Sequence, residues 1–439
     1  MPWSGPFPPE IVLRVVHYLS YDQIISSSYR DDEFKDLHGC WTRWGRIRGV
    51  SRYASIDRTW QDAIERETFA QLHLDLERLV EAHDILNRVL RRRSYIRFIH
   101  LNLVLHPAKP GARQRGKDNR VLQHTFEALL SLLADRNPGP PLKLYVDAQN
   151  SPQKGRGFSL SCHSPLELEN PERILNLKAV NAITHMAVAR NEISGRHISG
   201  AAICTLLKTL SATKAVSLYW RDDDDGPDAR SDFAKALDNV EHDMDSFQLD
   251  GEYVDQNMQQ PAHVSTESKL RVDDLSRSLG ILSQRLRQFN IVEVAVTDDI
   301  FLQYNAEIAS TAHWPRLQEF HLYYPGESVL PHSYASDIQQ ATAVATDALN
   351  ARSLKAARAA LNMPHLEEMT LVANGEPGEC WHKFRYSRDL VNNTAKVLWT
   401  SSHAFVPEHE VLEAWREVSQ KHVPGTKLEV EYSDDEDVL

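Results

Sequence analysis

Few residues in this chain are placed to do chemistry. Asp298 and Asp299 follow the alternating apolar stretch Ile291–Val296, and the end of a strand is where an α/β enzyme can hold a catalytic carboxylate. No partner base or second acid is identifiable by spacing. Gly155 and Gly157 form a G-x-G, the kind of element that cradles phosphate when it joins a strand to a helix. Here Ser, Pro, Gln, Lys and Arg surround it, so it reads as a loop. The chain has 20 histidines, but no pair stands at helical i, i+4 spacing with a third metal ligand implied. His403 and His409 only flank a loop. Cys40, Cys162, Cys204 and Cys380 are scattered and show no CxxC, as expected of idle thiols in a reducing compartment. HExxH, G-x-S-x-G, GxxxxGK[ST] and the kinase signatures are missing. The expectation is a protein without catalytic, metal or cofactor chemistry.

Composition narrows the classes further. The chain of 439 residues is 42% hydrophobic and 25% charged, which suits folded domains. Its net charge of −12 argues against nucleic acid as a partner, because displacing counterions from phosphate needs a positive field. No apolar run reaches the roughly 18–20 residues of a membrane helix. Met1–Glu10 lacks the basic and apolar regions of a signal peptide, so an intracellular placement, cytoplasmic or nuclear, is expected.

The elements that remain to be positioned are helices and short strands. Phe7-Pro8-Pro9-Glu10 opens a helix whose first turn tolerates proline, with Glu10 at the positive end of the dipole. Ile11, Val12, Val15, Val16 and Leu19 form one apolar stripe along it. A second helix is predicted from about Arg52 to Phe69, with Ile56, Trp60 and Ile64 on one face. Together these segments resemble the F-box: Phe7, Pro8, Glu10, Ile11, Tyr18 and Leu19 match its first helix, and Ile56, Arg58 and Trp60 its later one. The continuation Trp60-Gln61-Asp62-Ala63-Ile64-Glu65 and the basic run Arg91-Arg92-Arg93 are similar to those of F-box proteins of filamentous fungi. The resemblance implies docking on a Skp1-like adaptor, and through it a cullin ubiquitin ligase, by Phe7, Pro8, Ile11, Val15, Leu19, Ile56 and Trp60. It also implies an insertion at about 21–49 between the helices of a domain at 1–75.

Downstream, the chain repeats itself. Trp314-Pro315-Arg316-Leu317-Gln318-Glu319-Phe320-His321-Leu322 aligns with Met363-Pro364-His365-Leu366-Glu367-Glu368-Met369-Thr370-Leu371 at an offset of 49. Weaker relatives lie at Ser94–Leu105, Leu142–Asp147, Val180–Ala189, Thr213–Trp220, Asn290–Val296 and Thr426–Tyr432, each alternating as a strand does. Helices are predicted between them at Val121–Leu133, Ile198–Leu210, Asp274–Phe289 and after Pro407. Alternating strands and helices give parallel strands with right-handed crossovers. Either a curved solenoid or a doubly wound sheet would satisfy that pattern, and the missing glycine loop speaks against the second.

The expected fold is therefore α/β: a small N-terminal helical F-box, then an irregular leucine-rich-repeat-like solenoid over 76–439. Pro107–Arg120 reads as a basic loop. A disordered acidic insertion is expected at about 221–269, and an acidic tail at Asp434–Asp437. By the resemblance, the repeats would hold an unknown substrate protein on their concave strand surface, with neither nucleic acid nor membrane as partner. The alternative is a non-catalytic repeat scaffold for protein–protein interaction without a ligase link, its N-terminal helices serving as a cap.

Overall fold

The structure, a computed structural model, describes residues 8–15, 55–105, 112–134, 136, 139–150, 165–189, 197–221, 226–252, 273–302, 312–325, 338–374, 381–401 and 405–433. Residues 9–15 form the first helix, α1. The next elements are α2 (Arg58–Ala70), β1 (Gln71–Leu74), α3 (Leu76–Arg88), α4 (Arg91–Tyr95) and β2 (Phe98–Leu105). Then come α5 (Ala112–Leu133), β3 (Leu142–Asn150), α6 (Pro171–Leu175), β4 (Ile183–Val188), α7 (Gly200–Thr209) and β5 (Ala215–Arg221). The middle of the chain adds α8 (Gly226–Asp238), β6 (Ser246–Glu252), α9 (Asp274–Ser283), β7 (Gln288–Val292) and β8 (Glu319–Pro325). The last part holds α10 (Ile338–Ala360), β9 (Glu368–Asn374), β10 (His382–Asp389), β11 (Thr394–Ser401), α11 (His409–His422) and β12 (Glu429–Ser433).

All 12 strands join one sheet, and their spatial order is their order in the chain. A doubly wound sheet reverses its order at a switch point; this one never does. The molecule is thus a stack of α/β units added in one direction, in the manner of an irregular solenoid. Every pairing is parallel except those of β10, which runs antiparallel to both β9 and β11. The internal repeat is visible as register: Glu319 lies opposite Glu368, Phe320 opposite Met369 and Leu322 opposite Leu371, the same offset of 49 that aligns the sequences.

Strand alternation sorts the side chains. In β2, Ile99, Leu101, Leu103 and Leu105 are buried, while Phe98, His100, Asn102 and Val104 point to the other face. The buried residues of β1 to β11 merge with the apolar sides of the helices into one continuous core, against which Val430 of β12 packs. Its largest fillers are Trp220, Trp314, Trp399 and Trp415, with Phe289 and Phe301 tilted against Phe320 at 5.3 and 5.8 Å. Trp314 also donates from Nε1 to Ser283 Oγ at 2.7 Å, so its polar atom is satisfied in the core.

Several expectations need correction. The stretch at 221–269 is not simply an unstructured insertion: it contains α8 and β6. Phe233, Ala234, Leu237, Val240, Met244, Phe247 and Leu249 are buried among its acids, enough apolar residues at helix and strand spacing to make one repeat. Likewise α5 begins at Ala112, inside the basic stretch expected to be a loop. The helix expected over Asp274–Phe289 stops at Ser283, and Phe289 enters the core from β7. Residues 71–74, on the near side of the boundary placed at 75, are already the first strand of the sheet. The segment 21–49 and the acidic tail lie outside the described residues.

Phe320 touches aromatic rings from a neighbouring strand and from the 3₁₀ turn Asp298–Phe301 at once. Phe320→Ala should therefore cost about 3–5 kcal/mol of stability. Urea unfolding followed by circular dichroism should show a lowered midpoint.

Candidate interaction face

The helices cover one side of the sheet; the alternate residues form its second side. Strand register links them into an unbroken row, one residue per strand. It runs His73, His100, Tyr145, Ala187, Ser217 and Gln248. It continues through Asn290, His321, Thr370, Arg385, Leu398 and Glu431. At about 4.8 Å per strand the row is on the order of 50 Å long, the scale of a protein-binding surface rather than of a small-molecule cleft.

Its chemistry changes along its length. At the first end, His73 and His100 meet edge to face, with Nδ1 atoms 3.3 Å apart, so one ring donates and the other accepts. His100 then meets the edge of Tyr145. Burial holds the His100 imidazole below its usual range, with Asp147 acting in the opposite sense from 3.9 Å. Burial, and then Asp147, push the Tyr145 hydroxyl up to about 12. The centre is low and polar: Ala187 and Ser217 leave room, and Gln248 donates to Asp250 at 2.9 Å. Asn290 Oδ1 is buried with no hydrogen-bond partner among the described residues. Toward the far end Arg385 donates to Glu368 at 2.8 Å, and burial keeps His321 below its usual range despite Glu368 and Glu319.

None of these groups forms a nucleophile, base and orienting third group. Among the described residues no three His, Cys, Asp or Glu side chains could hold a metal ion, and no helix is long and apolar enough to cross a membrane. Asp298, the carboxylate singled out by its place after a strand, is a clasp. Burial alone would raise its pKa, but Arg352 at 2.6 Å and Lys355 at 2.9 Å outweigh that and hold it below the usual carboxylate range. The Cys204 thiol is wholly buried and pushed up to about 12, too high for reactivity. His409 sits on the surface 3.4 Å from Glu413, and His403 is outside the described residues.

The residues expected to dock Skp1 are placed as follows. Phe7 and Leu19 fall outside the described residues. Pro8 is half-buried, and its carbonyl accepts from Ile11 and Val12. Ile11 and Val15 are 46% and 39% exposed, whereas Val12 is buried. Ile56 is 55% exposed and Trp60 half-buried. Asp57 caps α2 by accepting from the Thr59 and Trp60 amides. The buried Glu65 of α2 accepts from Arg91 at 2.9 Å and Arg92 at 2.7 Å, which fastens that helix to α4. The row across the sheet was not singled out by the sequence reading, which followed the apolar phase of each strand; the polar phase of the same alternation was its signal.

The fold defines an α/β repeat protein, with the described helices on one side of its sheet and the row on the other. Residues 237–438, from the end of α8 through β12, match the model of a family of unknown function, DUF6546. Curated proteins gave no match.

Two buried histidines at the far end tie stability to pH. His382 has neither ring nitrogen hydrogen-bonded among the described residues, lies edge to face with Phe405, and is pushed by burial down to about 4. His422 accepts from the Tyr386 hydroxyl at 3.0 Å and donates to the Ala360 carbonyl at 3.1 Å; burial, then Arg388, bring it to about 4. Both are neutral in the fold and protonate more readily when unfolded. Their contribution is complete above about pH 6.5 and is lost as pH falls toward 4, on the order of 3 kcal/mol for His382. His382→Leu should flatten the fall in unfolding free energy between these pH values.

Proposed function

We propose that this chain is a non-catalytic repeat scaffold that binds another protein across the side of its sheet that no described helix covers. The observation that carries this reading is the continuous twelve-residue row, because it is polar, aromatic and small by turns where the other side of the same strands is mostly apolar. Surfaces of that kind give specificity through shape and hydrogen bonding, with aromatic and Arg side chains as anchors. A photo-crosslinking residue at Ser217 or Gln248 should capture a partner that the same residue at Lys235, on exposed α8, does not. The pairing of His321→Ala with Arg385→Glu should abolish that capture. Equal labelling from Lys235 would sink the reading.

A second reading adds a link to a cullin ubiquitin ligase through a Skp1-like adaptor, with the row holding the substrate. What favours it is the exposure of Ile11, Val15 and Ile56, three aliphatic side chains of the F-box-like segments turned to solvent rather than inward. Recombinant Skp1 should co-purify with the wild-type chain and be lost with Ile11→Asp/Val15→Asp, which leaves the buried Val12 in place. No binding by a folded wild-type chain would leave the scaffold without the ligase link.

A further inference from the structure

The sheet ends at β12, which pairs with β11 on one side and with no described strand on the other. Glu429, Glu431 and Tyr432 are exposed there, Tyr432 by 51%. A strand with one free edge presents N–H and C=O groups ready to pair with another extended chain, and proteins usually blunt such edges with Lys, Pro or a bulge. The β12 sequence Glu429-Val430-Glu431-Tyr432-Ser433 has no Lys or Pro. Its charge is instead all of one sign. Glu429 and Glu431 share the face of the interaction row, and Glu431 is held by Lys396 at 2.5 Å, whereas Glu429 has no ion pair among the described residues.

That charge selects the occupant. A second copy pairing antiparallel through β12 would set Glu429 against Glu431 of its twin, like charges directly opposite. An extended segment with Lys or Arg at alternate positions meets the same two carboxylates favourably. An apolar anchor stands beside it. The β10–β11 turn carries Leu390 and Val391, 61% and 93% exposed. Asp389 fixes that turn by accepting from the Val391 amide at 2.8 Å and the Asn392 amide at 3.0 Å. Thr426, three residues before Glu429, donates to the Asn393 carbonyl at 2.9 Å and so holds the tip next to the start of β12.

We propose that the free edge of β12 docks an extended basic segment of a partner protein, added to the sheet as a further strand with Lys or Arg opposite Glu429 and Glu431. Glu431 also ends the interaction row, but strand addition uses the backbone edge of β12, so slowed exchange in residues 429–433 distinguishes this site from binding across the row.

A fluorescent synthetic peptide alternating Lys and Val, titrated into the full chain, tests the proposal by anisotropy. Binding is expected, together with slowed amide hydrogen exchange in residues 429–433. Glu429→Lys, at an exposed position that leaves the Lys396–Glu431 pair intact, should weaken binding about tenfold. The same variant should gain affinity for the peptide alternating Glu and Val. N-methylation of the peptide amides along one edge should abolish binding. No binding by the folded wild-type chain would overturn the proposal. So would binding indifferent to N-methylation, which would be charge attraction without strand pairing, or binding that leaves exchange in β12 unchanged.

Discussion

Each repeat is fastened to the next by a backbone carbonyl at the start of its strand. The carbonyls of Lys214, Asp245, Arg287 and Gln318 each accept two N–H groups from the following strand. Lys214 receives Asp245 and Ser246, Asp245 receives Arg287 and Gln288, and the pattern recurs to Glu367 and Glu368. Side chains reinforce the line, as where Arg316 bridges Asp243 and Asp245 and Lys214 reaches Asp243. These bonds set the register, and register decides which side chains face the helices. A slip of one residue would turn Phe247, Phe289 and Phe320 outward together. The interaction row and the core are therefore two consequences of one constraint.

The two ends of the stack are finished differently. At the first end α2 lies against β1 and α3 against β1 and β2, α4 packs on α2 and α3, and the buried Glu65 with its two arginines locks α2 to α4. Removing one partner of such a group would strand a buried charge, which is why it fixes geometry more than it adds stability. At the other end the chain reverses into the β10–β11 hairpin, where Phe384 and Tyr386 meet Trp415 of α11 and Phe384 also meets Trp399. This aromatic cluster secures the last units, while β12 beyond it keeps a free edge.

A repeat fold of this kind confines its packing core to one side of the sheet. Uniform aliphatic and aromatic packing on one side needs no particular partner, so the other side is free to vary in shape and polarity along its length. Imidazole and phenol rings stand at one end of the row, amides in its centre and paired charges at the other. Polar groups held within the fold, such as Asp298 between Arg352 and Lys355, serve to join the 3₁₀ turn to α10 instead of to react.

Much of the architecture is legible in the residues alone. The apolar phase of Phe320 and Leu322 and its echo in Met369 and Leu371 identified two strands, because identical burial demands leave identical spacing; that they pair with each other is seen in the sheet. Helices α7 and α11 follow from their apolar stripes, with Trp415 on the inward side. Several elements were hidden for local reasons. α8 and β6 carry enough acid on their outer surfaces to mask a sparse apolar phase, and the β10–β11 hairpin has polar residues such as Arg385 and Lys396 on one side and no glycine at its turn. The segment from Gln71 to Leu74 is too short to signal a strand. Only the tertiary structure decided between a stacked and a doubly wound sheet, since both need the same alternation of strand and helix and differ only in which strands meet. The interaction row likewise exists only in three dimensions: most of its members are tens of residues apart, and only strand register brings His73, Tyr145, Asn290 and Arg385 into one line.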